Sequence, residues 1–229
     1  MIYGLETIFT LFLALLAFII VIAAQAYLSS TYKKGKEKEN SNKLSGCEVA
    51  RKILDSNGLT DVYVVQTDGM LSDHYDPKRK VVRLSKDIFH GTSVAATAVA
   101  AHECGHAIQD KDNYTFMRIR SSLVPVVNLM TYIGYFVLLI SLFAGITGYL
   151  KISIGLIVIT LIFQLITLPV EFDASKRALS EINRLSLIAP GEKELSGKVL
   201  KAAALTYVAS LISTVIDLLR LVIMLNDRD

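Results

Sequence analysis

The stretch from Ala98 to Asp110, AVAAHECGHAIQD, decides how this chain is read. It holds His102-Glu103-x-x-His106 directly after a run with no charged residue from Gly91 to Ala101, which is the composition of a buried helix. Residues four apart on an α-helix lie about 40° apart around the axis, so both imidazoles leave one face about one turn apart. That spacing suits two of the four tetrahedral positions around Zn²⁺. Glu103 falls between them in angle, able to reach a water at an open position without becoming a ligand, as a general base must. The competing reading, a surface helix with two unrelated histidines, needs a polar face. Val94 to Ala101 offers almost none.

The surroundings are those of a small domain within a membrane protein. At 229 residues and 52% hydrophobic, with mean hydropathy +0.47, the chain is too apolar for an ordinary soluble domain. Ser29 to about Ser122 nevertheless reads as one. It starts with a polar, lysine-rich tether over 29–45, expected to be flexible. A helix over Cys47–Asn57 is stopped by Gly58, and strands are expected at Val62–Gln66 and Val81–Ser85, separated by the turn-rich Asp68–Lys80. Thr92 or Ser93 caps the metal-motif helix. Val81–Ser85, just before that helix, is the candidate edge to which an extended peptide could add. His74, in Asp-His-Tyr-Asp-Pro, reads as a surface turn or as a lip of the site, where its imidazole could bond a polarised carbonyl oxygen. His90 reads as loop. Cys104, two positions from a ligand, faces away and packs as a small apolar residue, and both it and Cys47 are expected to be reduced.

Further from the motif, Thr7 to Leu28 carries no charge and is long enough to cross a bilayer. Ala24-Gln25-Ala26 imitates a signal cleavage site, but Glu6 precedes the apolar run and Lys33, Lys34, Lys36 and Lys38 follow it. This is the charge order of an uncleaved anchor with its N-terminus outside and the following residues in the cytoplasm. After the mixed stretch Tyr114–Arg120, the segments Ser121–Leu150 and Ile152–Val170 are uncharged and separated only by Lys151, so they form a membrane hairpin with Gly145 and Gly148 at its outer end. Two crossings return the chain to the histidines' side, where Glu171-Phe172-Asp173 emerges. Glu171 is the candidate third ligand, although it could simply mark the exit from lipid. Asp173 could ligate in its place or accept the second ring N–H of a ligating histidine. Ser180–Ala202 is expected as helix, turn and helix broken at Pro190-Gly191. Ala203–Leu225 is apolar apart from Asp217 and Arg220, and is a fourth span or a helix lying on the membrane surface. Tyr207 and Arg177 are oxyanion candidates, or packing residues.

The fold class expected is a mainly α membrane protein with about four transmembrane helices. It comprises an anchor (1–28), a small α+β zincin-like cytoplasmic domain (29–122), a hairpin (123–170), cytoplasmic helices with the third ligand (171–202) and a C-terminal apolar helix (203–229). The order VYVVQ, VVRLS, AVAAHECGHAIQ, hairpin and EFDAS resembles the small bacterial membrane-bound neutral zinc metallopeptidases over nearly the whole chain. It is more distantly similar to the membrane gluzincins of the CAAX-protease and heat-shock membrane-protease type. In those, the glutamate ligand is followed four residues later by an aspartate and three beyond by an alanine. Glu171, Phe172, Ala174 and Ala178 fit that pattern, while Ser175 stands at the aspartate position and Asp173 is the possible substitute. The resemblance implies a zinc endopeptidase of the bacterial cytoplasmic membrane with Glu171 as third ligand.

From these residues follows one Zn²⁺ per chain, held by His102, His106 and Glu171 with Glu103 as base, acting on a peptide or membrane-protein substrate at the bilayer. Oligomeric state has no signature in the sequence. A non-catalytic, zinc-stabilised scaffold is the alternative. A net charge of +3 without aromatic interleaving excludes a nucleic-acid partner. Asn128, Gln164 and the Asp217/Arg220 pair are too few polar groups for a transport path.

Overall fold

The structure, a computed structural model, describes residues 2–69, 72–144 and 149–226. In chain order these form α1 (Ile2–Glu37), α2 (Gly46–Ser56), β1 (Tyr63–Thr67), β2 (His74–Asp76), β3 (Val81–Ser85), α3 (Lys86–Phe89), α4 (Val94–Lys111), α5 (Thr115–Ala144), α6 (Tyr149–Arg184) and α7 (Lys193–Asn226). A 3-10 turn at Pro190–Glu192 leads into α7. The molecule is mainly helical with one small sheet. Gly145 and Gly148, the expected outer end of the hairpin, lie outside the described residues.

The chain divides into two compact units, one made of 26–118 and 169–205, the other of 1–25, 119–168 and 206–229. The first is built around α4. Ser93 caps this helix by accepting the Ala96 N–H at 3.1 Å, and its run of alanines lets neighbours approach closely. Its core combines Val49, Ile53 and Leu54 of α2, Val82 and Leu84 of β3, Ala100 and Cys104 of α4, and Val170, Ala178 and Ile182 of α6. Cys104 is buried, with its thiol 3.6 Å from the Ala50 carbonyl, and both cysteines are free. The start of α2 is fixed by a capping box in which Ser45 and Glu48 satisfy each other's backbone N–H groups.

The sheet departs from expectation. Its order is β1-β3-β2, with β1 parallel and β2 antiparallel to β3. Val81–Ser85 is therefore the central strand, its main-chain groups committed on both sides, and it cannot add a peptide. The two edges are β1 and β2, the second of them inside the segment that reads as turns. The tether is also more ordered than its composition implies. Ser29–Glu37 continues α1, with Gly35 set so close that an added Cβ would lie 3.0 Å from Val199 and 3.1 Å from Ala95.

In the second unit, α1, α5, α6 and α7 expose large apolar side chains such as Phe12, Phe18, Leu129, Phe136, Ile162 and Val215, as a lipid-facing surface does. Three described helices are long and apolar enough to cross a membrane, those within 6–37, 151–184 and 190–225. Within this unit the Arg220 guanidinium bonds Asp217 at 2.8 Å and the Thr10 carbonyl at 3.0 Å, so an ionisable pair in an apolar segment is satisfied internally. The expected break at Pro190-Gly191 separates α6 from α7; α6 itself runs unbroken from Tyr149 through Glu171 to Arg184, and α7 is one helix from Lys193.

Candidate metal centre

Helix α4 supplies His102, Glu103 and His106, and α6 supplies Glu171. What brings them together is Gly105. A Cβ at that position would lie 2.5 Å from the Ala174 carbonyl oxygen, so only glycine lets the two backbones meet there. The contact sets the turn of α6 that carries Glu171 against the histidine face of α4. One carboxylate oxygen, Oε2 of Glu171, then lies 3.3 Å from His102 Nε2 and 3.8 Å from His106 Nε2. Glu171 and His106 are buried, and His102 is half-buried.

This donor set fits zinc. Ligands about 2 Å from a tetrahedral Zn²⁺ are roughly 3.3 Å from one another, and the three candidate ligand atoms all lie within 4.8 Å of each other. Two imidazole nitrogens and one carboxylate are also what a hydrolytic zinc site uses, leaving a fourth position open. Among the described residues, the group contains these three donors and no further histidine, cysteine or carboxylate.

Glu103 is 7% exposed. Burial pushes its carboxyl up to about 7, opposed by the neighbouring His102 and reinforced by the Glu171 and Asp73 carboxylates. Its carboxylate accepts the main-chain N–H of Tyr75 in β2. The same tyrosine's hydroxyl donates to Asp110 on α4 at 2.8 Å, and Lys80 reaches Asp110 at 2.7 Å. Tyr75 therefore fastens the edge strand to the metal-motif helix at two points seven residues apart, and burial with the Asp110 bond pushes its phenol well above the usual range.

The groups behind the histidines are not those expected from the sequence. Ser175 Oγ lies 3.3 Å from His102 Nδ1, so the residue at the usual aspartate position does contact the first histidine, as a hydroxyl. His106 Nδ1 lies 3.0 Å from Oε1 of Gln109. Asp173 touches neither imidazole. It accepts from Gln109 Nε2 at 2.9 Å and from Arg177 Nε at 2.6 Å. Arg177 also binds Asp112, so its guanidinium is engaged by two carboxylates.

His74 lies on the edge strand β2, exposed, with Nδ1 2.7 Å from the Ser72 carbonyl. Tyr207 lies on α7 in the unit that does not contain the three candidate ligands. His90 bonds Gln66 at 2.8 Å and takes no part. Sequence reasoning missed Gln109 and Gly105, and marked Ser175 only as a departure from the family pattern. Gln109 had a signal, since it follows His106 by three residues and so shares its helix face.

A family model described as "Putative neutral zinc metallopeptidase" matches residues 10–226. The chain is 42% identical over 220 residues to the "Putative membrane protease YugP" of Bacillus subtilis (strain 168), covering 96% of this chain and 98% of that protein. No solved structure matches it. With nearly its whole length matched by both comparisons, the chain belongs to the bacterial family of membrane neutral zinc metallopeptidases.

Proposed function

We propose that this protein is a zinc-dependent endopeptidase of the bacterial cytoplasmic membrane, cutting peptides or membrane proteins at the cytoplasmic face. The observation that carries the reading is the convergence of His102 and His106 Nε2 on one buried oxygen of Glu171, at 3.3 and 3.8 Å, in a member of this family. His102, His106 and Glu171 would hold one Zn²⁺ per chain. When bound, the ion supplies Lewis acidity toward a carbonyl oxygen and makes water a better nucleophile near neutral pH. Glu103, beside the ligands without being one of them, would take the proton from the attacking water and deliver it to the leaving nitrogen. The edge strand β2, fastened beside Glu103 through Tyr75, is the surface along which an extended substrate would add. His74 at that edge is a candidate donor to the substrate carbonyl.

A zinc-stabilised scaffold is disfavoured because structural zinc sites are closed by four protein ligands, whereas the described group offers three. The test is metal content and peptide cleavage on purified full-length protein. Wild type is expected to hold stoichiometric zinc, His102→Ala and Glu171→Ala to lose it, and Glu103→Gln to keep zinc but lose cleavage. Unimpaired hydrolysis by a zinc-loaded Glu103→Gln protein would refute the assignment.

A further inference from the structure

Gln109 is fully buried behind His106, and its amide is held at both ends. Nε2 lies 2.8 Å from the Val170 carbonyl oxygen and 2.9 Å from Asp173 Oδ2, while Oε1 lies 3.0 Å from His106 Nδ1. A main-chain carbonyl has no proton to give, so the nitrogen end of the amide must face Val170. The oxygen end is thereby aimed at the imidazole. Two acceptors cannot satisfy each other, so His106 Nδ1 must carry the ring proton. In the neutral ring Nε2 is then left as a lone pair facing the Glu171 carboxylate at 3.8 Å, two acceptors that a metal ion or a second ring proton between them would reconcile.

We propose that Gln109 is a positioning residue that presets His106 as the Nδ1–H tautomer, its Nε2 free for a metal ion before any metal arrives. The proposal rests on the zinc reading above and adds to it an asymmetry between the ligands. His102 is backed by the Ser175 hydroxyl at 3.3 Å, which can donate or accept and so selects neither tautomer. His106 is preset; His102 adapts. The orientation of Gln109 is itself secured from behind, because Arg177 binds Asp173 at 2.6 Å and bridges to Asp112.

The tautomer can be read directly. The full chain, purified metal-free in detergent at pH 8 with ¹⁵N-labelled histidine, contains four histidines, few enough to resolve by long-range nitrogen–proton correlation. His106 is expected almost wholly as Nδ1–H, although free imidazole side chains favour the other tautomer. Gln109→Met, similar in size but with no acceptor, is expected to shift His106 toward Nε2–H and to weaken zinc binding 10- to 100-fold in competition with a chelator. A wild-type spectrum with the His106 proton on Nε2 overturns the proposal, and needs no variant to fold. So does a folded Gln109→Met protein that keeps both the wild-type tautomer and the wild-type zinc affinity. A wild type with the preset tautomer that takes up no zinc refutes the zinc reading and leaves the tautomer assignment standing.

Discussion

Glu103 is buried to 7% exposure among groups that include two other carboxylates, and its position has a cost in stability. Its carboxyl titrates near 7 in the folded protein against an ordinary 4.5. A folded-state value above the unfolded one means that Glu103 favours the fold below about pH 4.5 and that this contribution is lost as pH rises through about 7. The accumulated loss is about 3 kcal/mol in the metal-free protein. Metal-free Glu103→Gln should therefore unfold at a higher temperature than wild type at pH 8 and at the same temperature at pH 4, measured by thermal denaturation in detergent. Identical pH dependence of the two proteins would show that the carboxyl is not strained by its surroundings. At this scale the helical spacing of the motif was legible, because three residues of one helix turn fix their own geometry. Ser175 was noticed only as a departure from the family pattern. Its bond to His102 spans 73 residues of sequence, and no local periodicity encodes such a contact.

Two elements meet where the sequence reads poorly. β2 is three residues long, flanked by Asp73 and Pro77, so its alternation is too short to stand out from the turn formers around it. Tertiary contacts make it a strand: pairing with β3, and the two attachments of Tyr75 to α4. Tyr75→Phe removes one attachment, leaving Asp110 to Lys80. A loss of about 1 kcal/mol of stability is expected, with KM for an extended peptide rising more than kcat falls, because the edge is displaced and the metal ligands are not. An unchanged KM would detach β2 from substrate binding. The second meeting point is α4 against α6 at Gly105, where a Cβ would sit 2.5 Å from the Ala174 oxygen. Neither partner atom there belongs to a flexible side chain, so Gly105→Ala must part the helices. The expected cost is about 1–3 kcal/mol, with zinc affinity falling at least tenfold because Glu171 moves away from the histidines. A Gly105→Ala protein with wild-type zinc affinity would mean that the close approach is not what sets the ligand distance.

For the whole molecule, the ligand distances constrain membrane topology. His106 and Glu171 lie on one centre at 3.8 Å, so, with that centre at one face of the bilayer as proposed, the chain between them would cross an even number of times. Among the described residues of that interval, α6 is long and apolar enough to cross, and a single crossing would leave the two residues on opposite faces. In the proposed topology α5 crosses as well. It presents Val126, Leu129, Ile133, Phe136 and Ile140 outward, the apolar face such a helix needs. This hairpin was legible as two uncharged runs around Lys151, and charge order alone set its direction. Both inferences meet at Lys151, which should face outside while Lys34 and Lys193 face the cytoplasm. In a protein whose native thiols are replaced by Cys47→Ser and Cys104→Ala, a single cysteine at Lys151 is expected to react with a membrane-impermeant maleimide added to intact cells. Cysteines at Lys34 and Lys193 should react only after the membrane is opened. Protection of Lys151→Cys together with protection at 34 and 193 would mean that neither α5 nor α6 crosses, and protection at 151 with labelling at the other two would invert the orientation. Labelling at position 193 but not at 34 would place the Glu171 end of α6 across the bilayer from the histidines, and the metal centre could not form.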